Sequence, residues 1–204
     1  MSRSLLAPCA LALVGLASPL AAQGSQEQPR IHAVEWTFAG GYFQPTGASG
    51  QLGSFGLDRR SAWVGASSVN VYSPGGRWGV EASAGYSPER IRQVSATGTP
   101  AGSRGTNLLY GNAKVMFGRS PRLSGISYMV GGGMGVMHRK KSVLDSSIGS
   151  TNVTGVASVM VRIPLDGQVG LRLDGQDMIY SADYGLGSKM RNDFILTAGL
   201  GVSW

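Results

Sequence analysis

The chain holds a single cysteine, Cys9, and two histidines, His32 and His138, in 204 residues. The first scarcity excludes a disulfide-stapled secreted scaffold and a thiolate metal site. The second leaves little from which to build a Ser-His-carboxylate triad or a histidine-held metal. Charge is scarce too: Asp, Glu, Lys and Arg make up 14% of the residues, against about a quarter in an ordinary globular protein. Beyond residue 22 no apolar run approaches the ~20 residues of a helical span, which excludes a helical membrane protein but not a barrel.

What is present begins with "MSRSLLAPCALALVGLASPLAAQ", where Arg3 precedes an apolar run that ends in the small residues Ala21 and Ala22. This is the layout of a signal peptide over residues 1–22. Pro8 and Pro19 break the run and argue against a membrane anchor, and Pro8 before Cys9 argues against a lipoprotein site. Cleavage after Ala22 leaves about 182 residues, one domain by length, without any cysteine. Residues 23–32 read as a flexible lead-in. The formal charge of +7 on an exported chain points away from nucleic acid and toward anionic surfaces such as lipid head groups or lipopolysaccharide phosphates.

From residue 33 to 204 the sequence alternates between period-two segments and turn-rich links. Eight segments stand out: 33–43, 62–72, 78–87, 107–118, 126–138, 152–163, 168–180 and 193–204. Each is long enough to cross a bilayer as a tilted strand. The links 73–77, 119–125 and 164–167 are short and rich in Pro and Gly, whereas 44–61, 88–106, 139–151 and 181–192 are long. This rhythm predicts an all-β fold: an eight-stranded antiparallel up-and-down transmembrane β-barrel with short periplasmic turns and long outer loops.

The two faces of the segments agree. Apolar residues such as Trp36, Phe38, Val80, Val115, Val130, Val159 and Leu173 fall on one face, and Glu35, Glu81, Lys114, Arg162, Arg172 and Asp174 on the other. A soluble barrel would reverse the pattern. Three acids and three bases inside balance one another and predict a plug of salt bridges. Trp36, Tyr42, Trp63, Tyr72, Trp78, Tyr86, Phe117, Tyr180 and Trp204 lie near segment ends, where interfacial girdles are expected. Asp177 breaks the alternation and predicts either a bulge near Gly175 or a position above the hydrocarbon. "GGGMG" (131–135) lacks a phosphate-loop lysine and lies within a strand, so its glycines read as relief of crowding. The "NVT" at Asn152 matches a glycosylation sequon but lies within an expected strand.

The leader, the eight segments, the alternating links and the terminal "GLGVSW" resemble the small eight-stranded outer-membrane barrels of Gram-negative bacteria, the outer-membrane protein A and X group. The resemblance implies a location in the cell outer membrane, a monomer, and outer-membrane lipids and lipopolysaccharide as surroundings. It also implies that Leu200, Val202 and Trp204 are read by the outer-membrane assembly machinery, although relatives more often end in phenylalanine. Some relatives modify lipids, but His138 is followed by "RKK" and lacks the strand serine such enzymes use, so no enzyme, cofactor or metal is expected. His138, Arg139, Lys140 and Lys141, with Arg59, Arg60, Arg90, Arg92, Arg104, Lys189 and Arg191, predict a basic outer side. The leading expectation is a structural or surface-interaction barrel with a filled lumen; a narrow gated channel, a lipid-modifying enzyme and a soluble lipocalin-like binder are the alternatives.

Overall fold

A computed structural model describes residues 34–46, 50–52, 55–88, 90–95, 100–105, 107–119, 125–140, 151–166, 168–183 and 188–204. The expected signal peptide, the lead-in and Lys141 lie outside these residues. Twelve strands follow one another: β1 (Val34–Thr46), β2 (Gly50–Leu52), β3 (Phe55–Arg60), β4 (Ala62–Tyr72), β5 (Trp78–Ser87), β6 (Arg90–Ser95), β7 (Pro100–Gly105), β8 (Leu108–Arg119), β9 (Ser127–Arg139), β10 (Thr151–Asp166), β11 (Val169–Asp183) and β12 (Ser188–Ser203). Eight of them close a barrel in the order β1-β12-β11-β10-β9-β8-β5-β4, each antiparallel to its neighbours.

Closure removes the sheet edges, so every strand of the wall finds backbone partners on both sides, as a hydrocarbon environment demands. The seam joins the two ends of the chain's folded part: β1 pairs with β12 from Glu35↔Ser203 to Thr46↔Asn192, and Trp204 N–H donates to the Val34 carbonyl at 3.0 Å. At the same end of the barrel the Ser73–Arg77 link after β4 is tight. Gly76 takes φ 64°, which only glycine adopts without strain, and its N–H donates to the Ser73 carbonyl at 2.8 Å.

Three differences from the sequence reading concern strand extent. The link read as long at 181–192 is mostly strand, with β11 running to Asp183 and β12 beginning at Ser188. The link read at 164–167 is largely strand: β10 runs on to Asp166, with the register shifting between Pro164 and Asp166. A bulge accommodates the proline, which cannot donate to a ladder. The long links 44–61 and 88–106 also hold β2, β3, β6 and β7, paired as a four-stranded sheet in the order β2-β3-β6-β7. The β3–β6 pair continues β4–β5 beyond the barrel. Gly65 pairs with Tyr86 and Arg60 with Arg90, so the β4 side carries one extra residue, next to the break at Ser61.

Candidate functional site

Strict alternation along the barrel strands sorts side chains into an outer and an inner set. The outer wall is apolar: Phe38, Leu109, Val130, Met134, Val153 and Leu200 are each more than half exposed. Such a continuous surface is satisfied by lipid rather than water. Trp36, Trp78, Phe117, Tyr128 and Trp204 ring its lower edge, and Tyr42, Trp63 and Tyr86 stand on the upper one. Trp36 stacks on Phe38 with centroids 5.2 Å apart, and its indole N–H donates to Ser67 Oγ at 2.8 Å, which satisfies the one hydroxyl on β4 that faces outward beside it. Trp78 and Tyr86 are eight residues apart on β5. At about 3.3 Å per residue and a tilt of about 40°, that is about 20 Å of height, close to the ~25 Å band of an outer-membrane barrel.

Two aromatics expected in the girdles are not there. Tyr72 and Tyr180 are buried inside the barrel, because each shares the parity of the inward residues of its strand, Asn70 on β4 and Gln176 on β11. Asp177 does face outward, and no bulge intervenes, since the register with β10 and β12 is unbroken from Asp174 to Asp177. It lies eight residues above Val169 on β11, hence level with the upper girdle by the same rise, where Asn192 Nδ2 donates to it at 3.4 Å.

The lower half of the lumen holds the six charged residues on inward-facing positions of β1, β5, β8, β10 and β11, all of them buried. Arg172 is the hub. It donates to both oxygens of Asp174 at 2.7 Å, to Glu81 Oε2, and reaches Glu35 Oε1 at 3.5 Å. Lys114 Nζ holds the other oxygen of Glu81 at 2.6 Å, and Arg162 Nε holds Glu35 Oε2 at 2.5 Å. Polar neighbours complete the set: Ser203 and Tyr72 donate to Glu35 at 3.1 and 3.4 Å, and Asn70 donates to Glu81 at 2.9 Å while accepting from Arg172. Glycine makes room for these long side chains. A Cβ on Gly170 would stand 2.6 Å from Arg162 Cζ, and one on Gly201 2.9 Å from Glu35 Cδ. Three cations and three anions leave no net charge in a space with little water, the condition under which buried ions persist.

Above this layer the inside turns apolar. Phe43, Val64, Leu108, Tyr110, Met137, Val156, Met178, Tyr180 and Ile195 form one buried cluster in the outer half, while Tyr72, Met116, Met129 and Met160 form a second beside the charges. Between ions and upper cluster a small chamber lies among Thr37, Ser68, Glu81, Asp174, Gln176 and Thr197, with room for about one water. Within "GGGMG" a Cβ on Gly131 would collide with Sδ of the buried Met116, and one on Gly135 would stand 2.7 Å from Asn112 Cβ and 3.0 Å from Thr154 Oγ1, all lumen side chains. A Cβ on Gly133 would collide with the Ala113 carbonyl and come within 2.7 Å of Lys114 Cα, so this glycine also admits the close approach of the β8 backbone.

The outer basic cluster is not one group. Arg139, expected there, is 1% exposed inside the lumen: its guanidinium donates to Asp193 Oδ2 at 2.7 Å and to the Tyr180 hydroxyl at 3.0 Å, and that hydroxyl donates to Asp193 at 2.9 Å. The cause is parity, because Arg139 follows Met137 at the inward spacing of β9. His138 is exposed, with Nδ1 at 2.9 Å from Thr151 Oγ1, and Lys140 is exposed just past the end of β9. Leu200, Val202 and Trp204 line one outward stripe of β12 at the seam. Among the described residues no three His, Cys, Asp or Glu side chains gather as a metal site would require.

The barrel has the fold of the small eight-stranded outer-membrane proteins. Residues across 85% of the chain superpose on 97% of the outer membrane protein OprG from Pseudomonas aeruginosa, at a TM-score of 0.59 and 13% identity. Neisserial surface protein A matches over 84% of this chain and 97% of its own, at 0.54 and 13%, and the outer membrane protein AlkL, solved in lipid bilayers, over 90% and 96%, at 0.50 and 14%. No family model and no curated protein sequence matches the chain. The likeness is one of architecture: an outer-membrane-type β-barrel with its own set of inner side chains.

Proposed function

We propose that this protein is an integral outer-membrane barrel with a structural or surface-interaction role, and that its lumen is closed. The observation that carries this is the double filling of the inside, with the Arg172 network in the lower half and the apolar cluster in the upper. An eight-stranded barrel is just wide enough to be packed in this way. Outer-membrane lipids and lipopolysaccharide are its surroundings, the assembly machinery reads the Leu200, Val202 and Trp204 stripe, and the barrel works as a monomer. No catalytic step is assigned to it. The test is conductance in planar bilayers: the closed lumen passes no steady single-channel current, and a steady current through the unsubstituted protein refutes the closed reading. Lipid turnover by the purified barrel is the matching test of the enzyme alternative.

A second reading, a narrow channel gated by the charge network, is favoured by the water-sized chamber between the two layers. It is distinguished by variants: if Glu81→Gln converts a silent barrel into a conducting one without unfolding it, the network is a gate.

A further inference from the structure

We infer that the lower rim of the barrel at β5, β8 and β9 holds the headgroup phosphate of an anionic phospholipid of the periplasmic leaflet, a reading that rests on the membrane placement proposed above. Four exposed side chains carry it: Arg77 in the turn before β5, Trp78 at the start of β5, Arg119 at the end of β8 and Tyr128 on β9. The register brings them together. Trp78 stands opposite Phe117, and Arg119 opposite Tyr128. Gly118 donates its N–H to the Arg77 carbonyl at 2.9 Å, which ties the turn to the end of β8 and sets Arg77 beside the residue that precedes Arg119.

Parity and height select the ligand. Arg119 continues the outward series Ala113, Val115 and Phe117 on β8, so it belongs to the lipid-facing wall. It lies two residues below Phe117, about 5 Å lower at the rise and tilt used above, which takes it out of the hydrocarbon to the level of lipid head groups. Among the described residues neither Arg77 nor Arg119 forms an ion pair or a side-chain hydrogen bond, and Asp166, an exposed acid of the same end, closes β10, two strands further round. The Trp78 indole N–H and the Tyr128 hydroxyl likewise have no protein partner among the described residues, whereas Trp36 in the same girdle gives its indole N–H to Ser67. Two guanidinium forks, an indole and a phenol thus offer donors around one place without a carboxylate, and a phosphate accepts from several such donors at once. Directly above them the exposed Val80, Val115 and Val130 offer an apolar wall for acyl chains, which a soluble anion would leave unused.

The test uses the full folded chain in detergent, titrated with phosphatidylglycerol, with diacylglycerol of the same chains, and with inorganic phosphate, and read by native mass spectrometry. Phosphatidylglycerol is expected to bind, with affinity falling about fivefold for each arginine removed in Arg77→Gln, Arg119→Gln and the double variant. It should also fall with rising salt, and fall less in Arg77→Lys/Arg119→Lys than in the double glutamine variant. Unchanged affinity in the double glutamine variant, equal binding of diacylglycerol, indifference to salt, or displacement by inorganic phosphate at equal concentration would each overturn the proposal. Boiled and unboiled samples on a denaturing gel keep the two readings apart. Absence of a fast-migrating unboiled band in the unsubstituted protein would sink the barrel placement itself, whereas a retained band with unchanged lipid binding in the variants sinks the phosphate site alone. If the glutamine variant does not fold, the lysine variant and the salt titration of the unsubstituted chain decide.

Discussion

Replacing Arg172 by methionine keeps a long side chain at the centre of the lumen and removes the charge that three carboxylates share. Glu35 keeps Arg162 and Glu81 keeps Lys114, but Asp174 takes the hydrogen bonds to both of its oxygens from Arg172. The variant therefore buries one uncompensated anion, which typically costs about 3–5 kcal/mol. Asp174→Asn alone does the converse and leaves an excess cation beside Glu81 and Glu35. The double variant Arg172→Met/Asp174→Asn restores neutrality with two intact pairs, so its cost should fall short of the sum of the singles by about 2–3 kcal/mol. Equilibrium unfolding by urea in lipid vesicles measures this, with emission from Trp36, Trp63, Trp78 and Trp204, all on the outer wall, reporting departure from lipid. An unchanged slope with denaturant would show that the compared states expose similar surface. If the two substitutions add without coupling, or Arg172→Met leaves the midpoint where it was, the network is not held together through Arg172 and the reasoning fails.

Glycine at 133 is required by the β8 backbone, so Gly133→Ala should lose the fast-migrating unboiled band, while Gly132→Ala, whose Cβ has 3.5 Å to the Val156 carbonyl, should keep it. On the outer wall, Met134→Arg, near mid-height on β9, should weaken folding into bilayers by about 2–4 kcal/mol, whereas Asp177→Ala at the upper girdle should change it by less than about 1 kcal/mol. Equal effects at the two sites would show that the heights assigned to them are wrong. Arg139→Met removes the cation paired with the buried Asp193 and should destabilise the barrel, with Arg139→Met/Asp193→Asn recovering most of the loss in the same unfolding assay. Trp204→Ser should slow insertion in cells while leaving spontaneous refolding in detergent nearly unchanged; equal loss in both would make the tryptophan a packing residue rather than a signal.

The alternation of "WGVEASAGYS" and "GLRLDGQD" was enough to place Glu81, Arg172 and Asp174 on one inner face, because one side of each of these strands is apolar and the other polar. Where both sides are apolar that contrast vanishes. At the outer ends of the strands Tyr42 precedes Phe43, Leu108 precedes Leu109 and Val136 precedes Met137, and in each pair one side chain faces out while the other packs in the upper lumen cluster. Hydropathy carries no signal for that layer. The outer sheet escaped notice for a different reason: "FGLDRR" and "RIRQVS" read as loop, and their pairing follows from the β4–β5 hairpin below, which delivers the two segments side by side.

Arg139 shows how much the period alone can carry when position is set aside. Its place after His138 and before two lysines made it look like loop charge, yet Ser127, Met129, Gly131, Gly133, Gly135, Met137 and Arg139 share one parity, and Ser127 and Met129 share it with the lumen. The same count on β12 puts Asp193 in line with Thr197 and Ile195, and on β11 it puts Tyr180 in line with Asp174. A buried cation needs an anion. Three residues from three strands, each of inward parity at the outer end, are therefore marked as lumen candidates, and the structure joins them as an ion pair capped by a phenol. The principle that places the central charges also places this upper one, provided the strand is allowed to run one turn of the pleat past the last apolar residue.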